Sequence, residues 1–236
     1  MKFKRYLRQY FAHKPRPRIW RAFNNYFHWR KGLSLPLSPL QVGIPWLNFN
    51  AADFILQKMS PLQQIAEYGS GGSTLFFLRQ NCLVVTVEHD PGWFRAVELA
   101  VRAEGHQGRW TGLHETPFVI PGSPYHDYEN PDSYFSSESR NLNYRSYASA
   151  LDRFPDAFFD LVLVDGRARP SCIKHAVAKV KLGGFLVVDN TERSYYLSDK
   201  TRAHLKNFLP VFDEFGPTPG LGHFTRATIF QKLANI

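Results

Sequence analysis

The residues in this chain with the clearest capacity for chemistry are acids, an amide and glycines that follow apolar runs. The segment 67–74 has the sequence EYGSGGST, and Glu88, Asp165 and the pair Asp189 and Asn190 each end a further apolar run. Glycine lets backbone N–H groups come close to a ligand. Carboxylate and amide oxygens bind hydroxyl groups or hard cations. We therefore expect a ligand site built from one glycine turn and several polar strand ends.

The elements that must position these residues are alternating strands and helices. Strands are predicted at 63–69, 82–90, 108–115, 158–166 and 185–190, and helices at 45–59, 73–80, 92–105 and 170–184. Continuous apolar strands separated by helices are typical of a parallel sheet covered on both faces. Ligands bind at the carboxyl ends of such strands, where the glycine turn and the polar residues fall. The last strands, within 211–232, are predicted to form an antiparallel hairpin at the sheet edge.

Composition and charge divide the chain into two parts. Of 236 residues, 44% are hydrophobic, which suffices for one α/β domain at 46–236 after a basic, aromatic helical extension at 1–45. Residues 1–52 contain ten Lys and Arg and no acid, so the net charge of +9 belongs to the extension. The two cysteines match no metal spacing, and the N-terminus lacks the apolar core of a signal peptide. We expect buried, reduced thiols and a cytoplasmic location.

The extension carries two basic runs in which aromatic residues recur at helical spacing. Its aromatic residues include Phe3, Tyr6, Tyr10, Phe11, Trp20, Phe23 and Phe27. Basic amphipathic helices rich in aromatic residues suit an anionic membrane surface. One expectation is therefore peripheral membrane contact through residues 1–31. The alternative is that the apolar sides pack on the body and the bases are solvated.

The glycine turn resembles the first motif of class I S-adenosylmethionine-dependent methyltransferases, in which an acid precedes a glycine-rich loop. A dinucleotide-binding fingerprint would place Gly or Ala where Thr74 stands. Glu88 resembles the ribose-binding acid of the methyltransferases, and the hairpin resembles their reversed last strand. The resemblance covers about residues 50–233. It implies a Rossmann-like, doubly wound, mostly parallel sheet of seven strands with a C-terminal antiparallel hairpin.

The same resemblance implies S-adenosylmethionine as the cofactor and a set of residues that bind it. The expected cofactor residues are Glu67, Tyr68, Gly69, Ser70, Gly71, Gly72, Ser73, Thr74, Glu88, His89 and Asp165. Glu88 is expected to hold the ribose hydroxyls. His89 is expected either near the adenine or as a solvated loop residue.

Three of the polar strand-end residues also resemble the metal ligands of cation-dependent O-methyltransferases. Asp165, Asp189 and Asn190 would hold Mg²⁺, which would lower the pKa of an acceptor hydroxyl. The alternative is that Asp165 contacts the cofactor or a helix N-terminus and Asp189 caps the next element. The candidates for the catalytic base are Asp165, Asp189 and His126. The nearby bases Arg167 and Arg169 would bind an anionic substrate or pair with acids.

The segment 115–150 is long for a connection between two strands and rich in aromatic residues. Such segments are often lids or binding loops. We expect it to form an acceptor pocket or a lid beside the cofactor. Its candidate acceptor-side residues are Tyr125, His126, Tyr128 and Tyr144.

The function that these features favour is methyl transfer from S-adenosylmethionine to an oxygen of a small-molecule or glycan acceptor. One alternative is a non-catalytic binding module that retains the cofactor fold. Another is a nucleic-acid methyltransferase whose basic arm contacts phosphates. The near-neutral body disfavours nucleic acid, as does the lack of an N-P-P-Y-type motif after the fourth predicted strand.

Overall fold

The computed structural model describes residues 2–33, 38–122 and 127–234. Its strands are β1 (Gln64–Tyr68), β2 (Leu83–Glu88), β3 (Trp110–His114), β4 (Phe118–Val119), β5 (Phe135–Ser136), β6 (Ser139–Asn143), β7 (Phe159–Val164), β8 (Val180–Asp189), β9 (Phe208–Pro217) and β10 (Phe224–Lys232). A seven-stranded sheet has the order β3-β2-β1-β7-β8-β10-β9. β10 runs antiparallel to both of its neighbours, and β3, β2, β1, β7 and β8 are parallel. The predicted seven-stranded, mostly parallel sheet with a C-terminal hairpin is confirmed.

Helices cover both faces of this sheet. They are α1 (Lys2–Ala12), α2 (Ile19–Gly32), α3 (Pro39–Val42), α4 (Phe49–Lys58), α5 (Gly72–Arg79), α6 (Pro91–Ala103), α7 (Arg145–Ala148), α8 (Arg169–Lys179) and α9 (Asp199–Arg202). Along β7, Val162 joins one buried cluster with Ile173, and Leu163 joins the other with Ile55. Because each face has its own core, the central strands are apolar at consecutive positions.

One predicted boundary is wrong: the helix expected at 170–184 ends at Lys179, and β8 begins at Val180. Val180 is buried and pairs with Phe159, and the register between β7 and β8 then shifts. Gly183, with φ of +76°, lies in this irregular part of the strand. The glycine pair therefore permits a bulge within β8 instead of ending the helix.

The segment expected to be a loop over 115–150 contains regular structure. In the described residues, β4, β6 and β5 form a small antiparallel sheet, and α7 follows it. Tyr144 and Tyr147 are fully buried against the main core. Tyr125 and His126 lie outside the described residues. The aromatic residues of this segment that the structure describes thus serve partly to anchor it.

The N-terminal extension packs on the C-terminal hairpin. Tyr6, Tyr26 and Trp29 form a buried cluster with Phe224 of β10. The Trp29 indole N–H donates to the main-chain oxygen of Leu221 at 2.7 Å. Between α1 and α2, the main-chain oxygen of Pro15 accepts from the N–H of Phe215 in β9 at 2.8 Å. One side of each extension helix is therefore part of the fold.

Within the described residues, no helix has both the length and the apolar character needed to cross a membrane.

Candidate functional site

A cavity of about 370 Å³ lies at the carboxyl ends of β1, β2 and β7. It is lined by Gly69, Ser70, Glu88, His89, Asp90, Trp93, Glu138, Asp165, Gly166 and Arg167. Parallel strands end at the same edge of a sheet, so three separate sequence segments meet here. The cavity is therefore the place where the predicted glycine turn and two of the predicted acids come together.

The glycine turn is shaped by close backbone contacts. Gly69 has φ of +92°, and a Cβ there would lie 3.1 Å from the Cα of Gly166 after β7. A Cβ on Gly72, the first residue of α5, would lie 2.3 Å from the main-chain oxygen of Ile44. Only glycine fits these positions without a shift of the neighbouring chain. The glycines therefore let the turn pack closely against the neighbouring chain while part of its backbone lines the cavity.

Glu67 lies beneath this turn and not in the cavity wall. Its side chain is fully buried, and it accepts hydrogen bonds from Ser73 Oγ at 2.6 Å and from Thr74 Oγ1. Thr74 Oγ1 in turn accepts from the N–H of Gly71 at 2.9 Å. Burial raises the pKa of Glu67 to about 8, although the two hydroxyl bonds oppose this shift. Glu67 therefore supports the turn as a largely uncharged acid at neutral pH.

Glu67→Gln is expected to flatten the pH dependence of stability. The native pKa of about 8 exceeds the ordinary 4.5, so the folded chain holds the proton more tightly than the unfolded chain. The free energy of unfolding should therefore fall as the pH rises from about 4.5 to about 8, and an amide removes this loss. Urea denaturation at the two ends of that range measures the effect. Exposed Glu129→Gln is the control, and an unchanged slope in Glu67→Gln would contradict the assignment.

Glu88 at the end of β2 is held as an anion at the cavity. Its Oε1 accepts from the N–H groups of His89 and Asp90 at 2.8 and 2.9 Å, and its Oε2 accepts from Ser70 N–H at 3.1 Å. The Ser70 hydroxyl also donates to Oε2 at 2.9 Å. Burial alone would raise the pKa of Glu88, but the His89 side chain, whose Nδ1 lies 2.8 Å from Oε1, and the N–H groups of Asp90 and Ser70 lower it to about 2. A fixed carboxylate of this kind can accept hydrogen bonds from ligand hydroxyl groups when the Ser70 hydroxyl rotates away.

Aromatic side chains form the wall beside Glu88. The His89 ring lies edge-on to Tyr144 and Tyr147, with centroids 5.6 and 5.9 Å apart. Trp93, in the first turn of α6, donates its indole N–H to the main-chain oxygen of Ser70 at 2.7 Å. Sequence reasoning missed Trp93, although its position just after the strand that ends in Glu88 was an available signal. Of these rings, His89 and Trp93 line the cavity and give it a surface on which a planar group can stack.

Asp165 and Asp189 meet at a buried arginine. Arg169 is 5% exposed and donates to the main-chain oxygens of Asp189, Asp165 and Gly166 at 2.5, 2.9 and 3.0 Å. It also donates to Asp165 Oδ1 at 3.0 Å. Burial and the neighbouring Asp165 carboxylate raise the pKa of Asp189 well above its ordinary range, against the opposing effect of Arg169. The pKa of Asp165 is raised by burial as well, and the two carboxyl groups hydrogen-bond each other beside the Arg169 guanidinium.

This arrangement does not fit a divalent metal. The Arg169 guanidinium already supplies the positive charge between the two strand ends, and Asp189 is only 3% exposed. Asn190 hydrogen-bonds Asp189 through its backbone N–H. In the described part of the chain, no group of three His, Cys, Asp or Glu is placed to hold a metal ion. A hard cation needs oxygen ligands that are free to face it, and Arg169 already donates to Asp165 Oδ1 and to the main-chain oxygens of Asp165 and Asp189.

The two arginines for which the sequence left two roles open both pair with acids. Arg169 pairs with Asp165, as above, and Arg167 forms an ion pair with Glu138 from the turn between β5 and β6. Glu138 also pairs with Arg193, which follows β8. The Glu138 carboxylate therefore lies between the guanidinium groups of Arg167 and Arg193. It joins the small sheet to the residues that follow β7 and β8. This contact places the predicted lid segment beside the site.

The predicted cofactor residues separate into two layers. Those that line the cavity are Gly69, Ser70, Glu88, His89 and Asp165, and those outside its wall are Glu67, Tyr68, Gly71, Gly72, Ser73 and Thr74. Tyr68 is fully buried and donates its hydroxyl to the main-chain oxygen of Ala148 at 2.6 Å, so its side chain belongs to the core. Of the predicted catalytic residues, Asp165 lines the cavity, Asp189 is buried behind it, and His126 lies outside the described residues.

Comparison with known proteins establishes the fold. No protein-family model matches the chain, and no curated protein is significantly similar to it in sequence. Solved structures do match. Cofactor-bound Rv0187 from MTB superposes with a TM-score of 0.55 and 15% identity, covering 94% of this chain and 100% of that one. A candidate O-methyltransferase from Klebsiella pneumoniae gives 0.54 and 15%, covering 87% and 90%.

TrmN from Thermus thermophilus gives a TM-score of 0.53 and 16% identity and covers 87% of this chain. The match covers 52% of TrmN, so this chain spans about half the length of that protein. The strand order, the reversed β10 and these superpositions together show the Rossmann-like fold of class I S-adenosylmethionine-dependent methyltransferases.

Proposed function

We propose that this protein is an S-adenosylmethionine-dependent methyltransferase that acts on an oxygen of a small-molecule or glycan acceptor. The observation that carries the proposal is Glu88. It is an anion fixed at the end of β2, opposite a glycine turn, at the edge of a sheet with the class I methyltransferase topology. A carboxylate there can accept hydrogen bonds from both hydroxyls of a ribose.

The remaining cavity residues fit the other parts of such a cofactor. Gly69 and Ser70 of the glycine turn line the cavity, as do His89 and Trp93, whose rings can contact a planar group. Bound S-adenosylmethionine supplies a methyl group on a positively charged sulfur that is already activated for transfer. The chain's own contribution is then to fix the acceptor oxygen in line with that methyl group and to exclude water.

We assign the acceptor side to the region between Asp165 and the small sheet. Asp165 reaches the cavity with 30% of its side chain exposed and can accept a hydrogen bond from an acceptor hydroxyl. Glu138 and Arg167 also line the cavity, so much of its lining is polar. A polar lining suits a hydroxylated acceptor, which supports the small-molecule or glycan class. The ion pairs of Glu138 would have to open for the acceptor to enter.

The test combines binding with turnover. Calorimetric titration of S-adenosylmethionine into the folded protein should show binding in the micromolar range, about −8 kcal/mol. Incubation with methyl-labelled cofactor and a panel of phenols, hydroxy acids and oligosaccharides should release S-adenosylhomocysteine. A folded protein that does not bind the cofactor would refute the proposal. Binding without transfer to any acceptor would favour the non-catalytic module.

We further propose that transfer needs no resident Mg²⁺, because Arg169 occupies the position between Asp165 and Asp189. The rate of S-adenosylhomocysteine release should be the same after treatment with a chelator and after addition of Mg²⁺. A cation-dependent methyltransferase assayed in parallel is the control for chelation. A rate that falls with the chelator and returns with Mg²⁺ would restore the metal assignment.

A further inference from the structure

The outer side of α2 carries a continuous apolar stripe. Trp20, Phe23 and Phe27 follow the i, i+3, i+7 spacing of one helix face, and they are 55, 51 and 64% exposed. The opposite side of the helix, with Tyr26 and Trp29, is buried against the hairpin. Only one side of α2 is therefore buried against the rest of the protein. Clusters of exposed large apolar side chains mark interaction surfaces.

The stripe extends onto α1. The rings of Phe3 and Phe23 lie 6.2 Å apart, and Phe11 is 59% exposed. We call the exposed apolar residues of the two helices the outer aromatic surface: Phe3, Phe11, Ile19, Trp20, Phe23 and Phe27. Both helices thus contribute large side chains to one solvent-facing surface, although each already has a buried side.

Basic residues surround this surface. All the bases of residues 2–33 are exposed except Arg16, which is half-buried. Lys4 and Arg8 are one helical turn apart on the outer side of α1, and Lys31 follows Phe27 by one turn on α2. Arg21 faces the body acids Asp53 and Glu214 and is not part of this set. The surface is therefore apolar at its centre and cationic around it.

An apolar cleft opens at the C-terminal end of the stripe. It has a volume of about 530 Å³, and its described lining includes Phe27, Ile44, Trp46 and Phe49, with Lys31 among the lining residues. A cleft of this size accepts part of a hydrocarbon chain. The cleft and the stripe share Phe27, so they form one surface, and the adjacent lysine suits a negatively charged headgroup.

We propose that the outer aromatic surface binds an anionic phospholipid membrane, with the aromatic rings in the interface and the surrounding bases against the headgroups. A second copy of this chain fits less well. Residues 1–52 carry ten bases and no acid, so two such surfaces would repel each other. Nucleic acid would engage the basic residues but leaves the aliphatic Ile19 and the apolar cleft without a role.

This surface is independent of the cofactor site, but the two share one end of the molecule. Ala227 of β10 pairs with Asp189 at the carboxyl end of β8, so Phe224 lies beyond that end. α1 and α2 pack on Phe224 and are therefore on the cofactor side of the sheet. If the proposed function holds, membrane binding brings the acceptor opening to a lipid surface, which suits an acceptor carried by a lipid.

The experiment is co-sedimentation of the full-length protein with vesicles of phosphatidylcholine alone or mixed with phosphatidylglycerol. The wild type should bind the mixed vesicles and lose binding at high salt. Trp20→Gln with Phe27→Gln, and separately Lys4→Glu with Arg8→Glu, should each weaken partition by about tenfold or more. The matched control, Leu99→Gln with Leu182→Gln, changes leucines that are 52 and 64% exposed elsewhere and should bind as the wild type does.

A second readout identifies the inserted ring. Brominated lipid chains should quench part of the tryptophan fluorescence, and Trp20→Phe should reduce that part while vesicle binding persists, the remainder coming from Trp46 in the cleft. A wild type that ignores anionic vesicles overturns the proposal, as does binding that survives both double substitutions. Self-association of the wild type that Trp20→Gln with Phe27→Gln abolishes would assign the surface to a second copy instead. None of these results depends on S-adenosylmethionine, so they stand apart from a failure of the proposed function.

Discussion

Glu88→Ala is expected to weaken S-adenosylmethionine binding about a hundredfold, a loss of about 3 kcal/mol, because two hydrogen bonds from hydroxyl groups to a carboxylate disappear. The same change frees the N–H groups of Ser70, His89 and Asp90, which now point at the carboxylate. Glu88→Gln should lose most of the same affinity, because an amide nitrogen cannot accept from these donors. Calorimetric titration measures both variants.

The control for this prediction is Glu98→Ala, which removes a glutamate from α6 whose partners are Arg95 and Arg102 on the helix surface. It should bind the cofactor as the wild type does. Near-ultraviolet circular dichroism should show that Glu88→Ala keeps its tertiary structure. Full affinity in a folded Glu88→Ala protein would show that the ribose is held elsewhere and would remove the main support for the proposed site.

Arg169→Met is expected to destabilise the fold by about 3–5 kcal/mol. The substitution leaves Asp165 without its cation and leaves the main-chain oxygens of Asp165, Gly166 and Asp189 without a buried donor. Urea denaturation at neutral pH measures the loss. Arg153→Met, which removes an exposed arginine paired with Glu115, is the control and should cost at most about 1 kcal/mol.

A second substitution separates the charge from the packing. Asp165→Asn combined with Arg169→Met removes both members of the ion pair, so the double variant should recover part of the stability that Arg169→Met loses. If Arg169→Met lowers the free energy of unfolding no more than Arg153→Met does, the Arg169 guanidinium is not what holds the two strand ends together. The argument against a metal at that position would then fail as well.

The parallel sheet could be predicted because each of its central strands is buried on both faces and is therefore apolar at consecutive positions. Ile65, which pairs with Leu161 and with Val84, lies in such a strand. The position of Glu88 could be predicted because a strand end fixes where a side chain emerges. These features depend on local sequence, so they are visible in it.

What could not be predicted depends on contacts between distant segments. Arg169 reaches Asp189 only because β7 and β8 are neighbours with a particular register, and the sequence does not specify that register. The ion pair between Glu138 and Arg193 joins the turn between β5 and β6 to the residues that follow β8. The predicted end of α8 was wrong for a related reason. Glycine occurs both at helix ends and in strand bulges, and only the pairing of Val180 with Phe159 distinguishes the two cases.

The packing of the extension on the hairpin has a consequence for the outermost strand. β9 ends the seven-stranded sheet, and the free backbone groups of an edge strand invite pairing with another chain. The main-chain oxygen of Pro15 accepts a hydrogen bond from the N–H of Phe215 in β9. The His13 ring stacks on the Phe215 ring, with centroids 4.5 Å apart. The segment between α1 and α2 thus covers part of this edge strand and hinders its pairing with the edge strand of another molecule. A chain trimmed to residues 46–236 would present β9 to its neighbours, and reduced solubility would be the expected result.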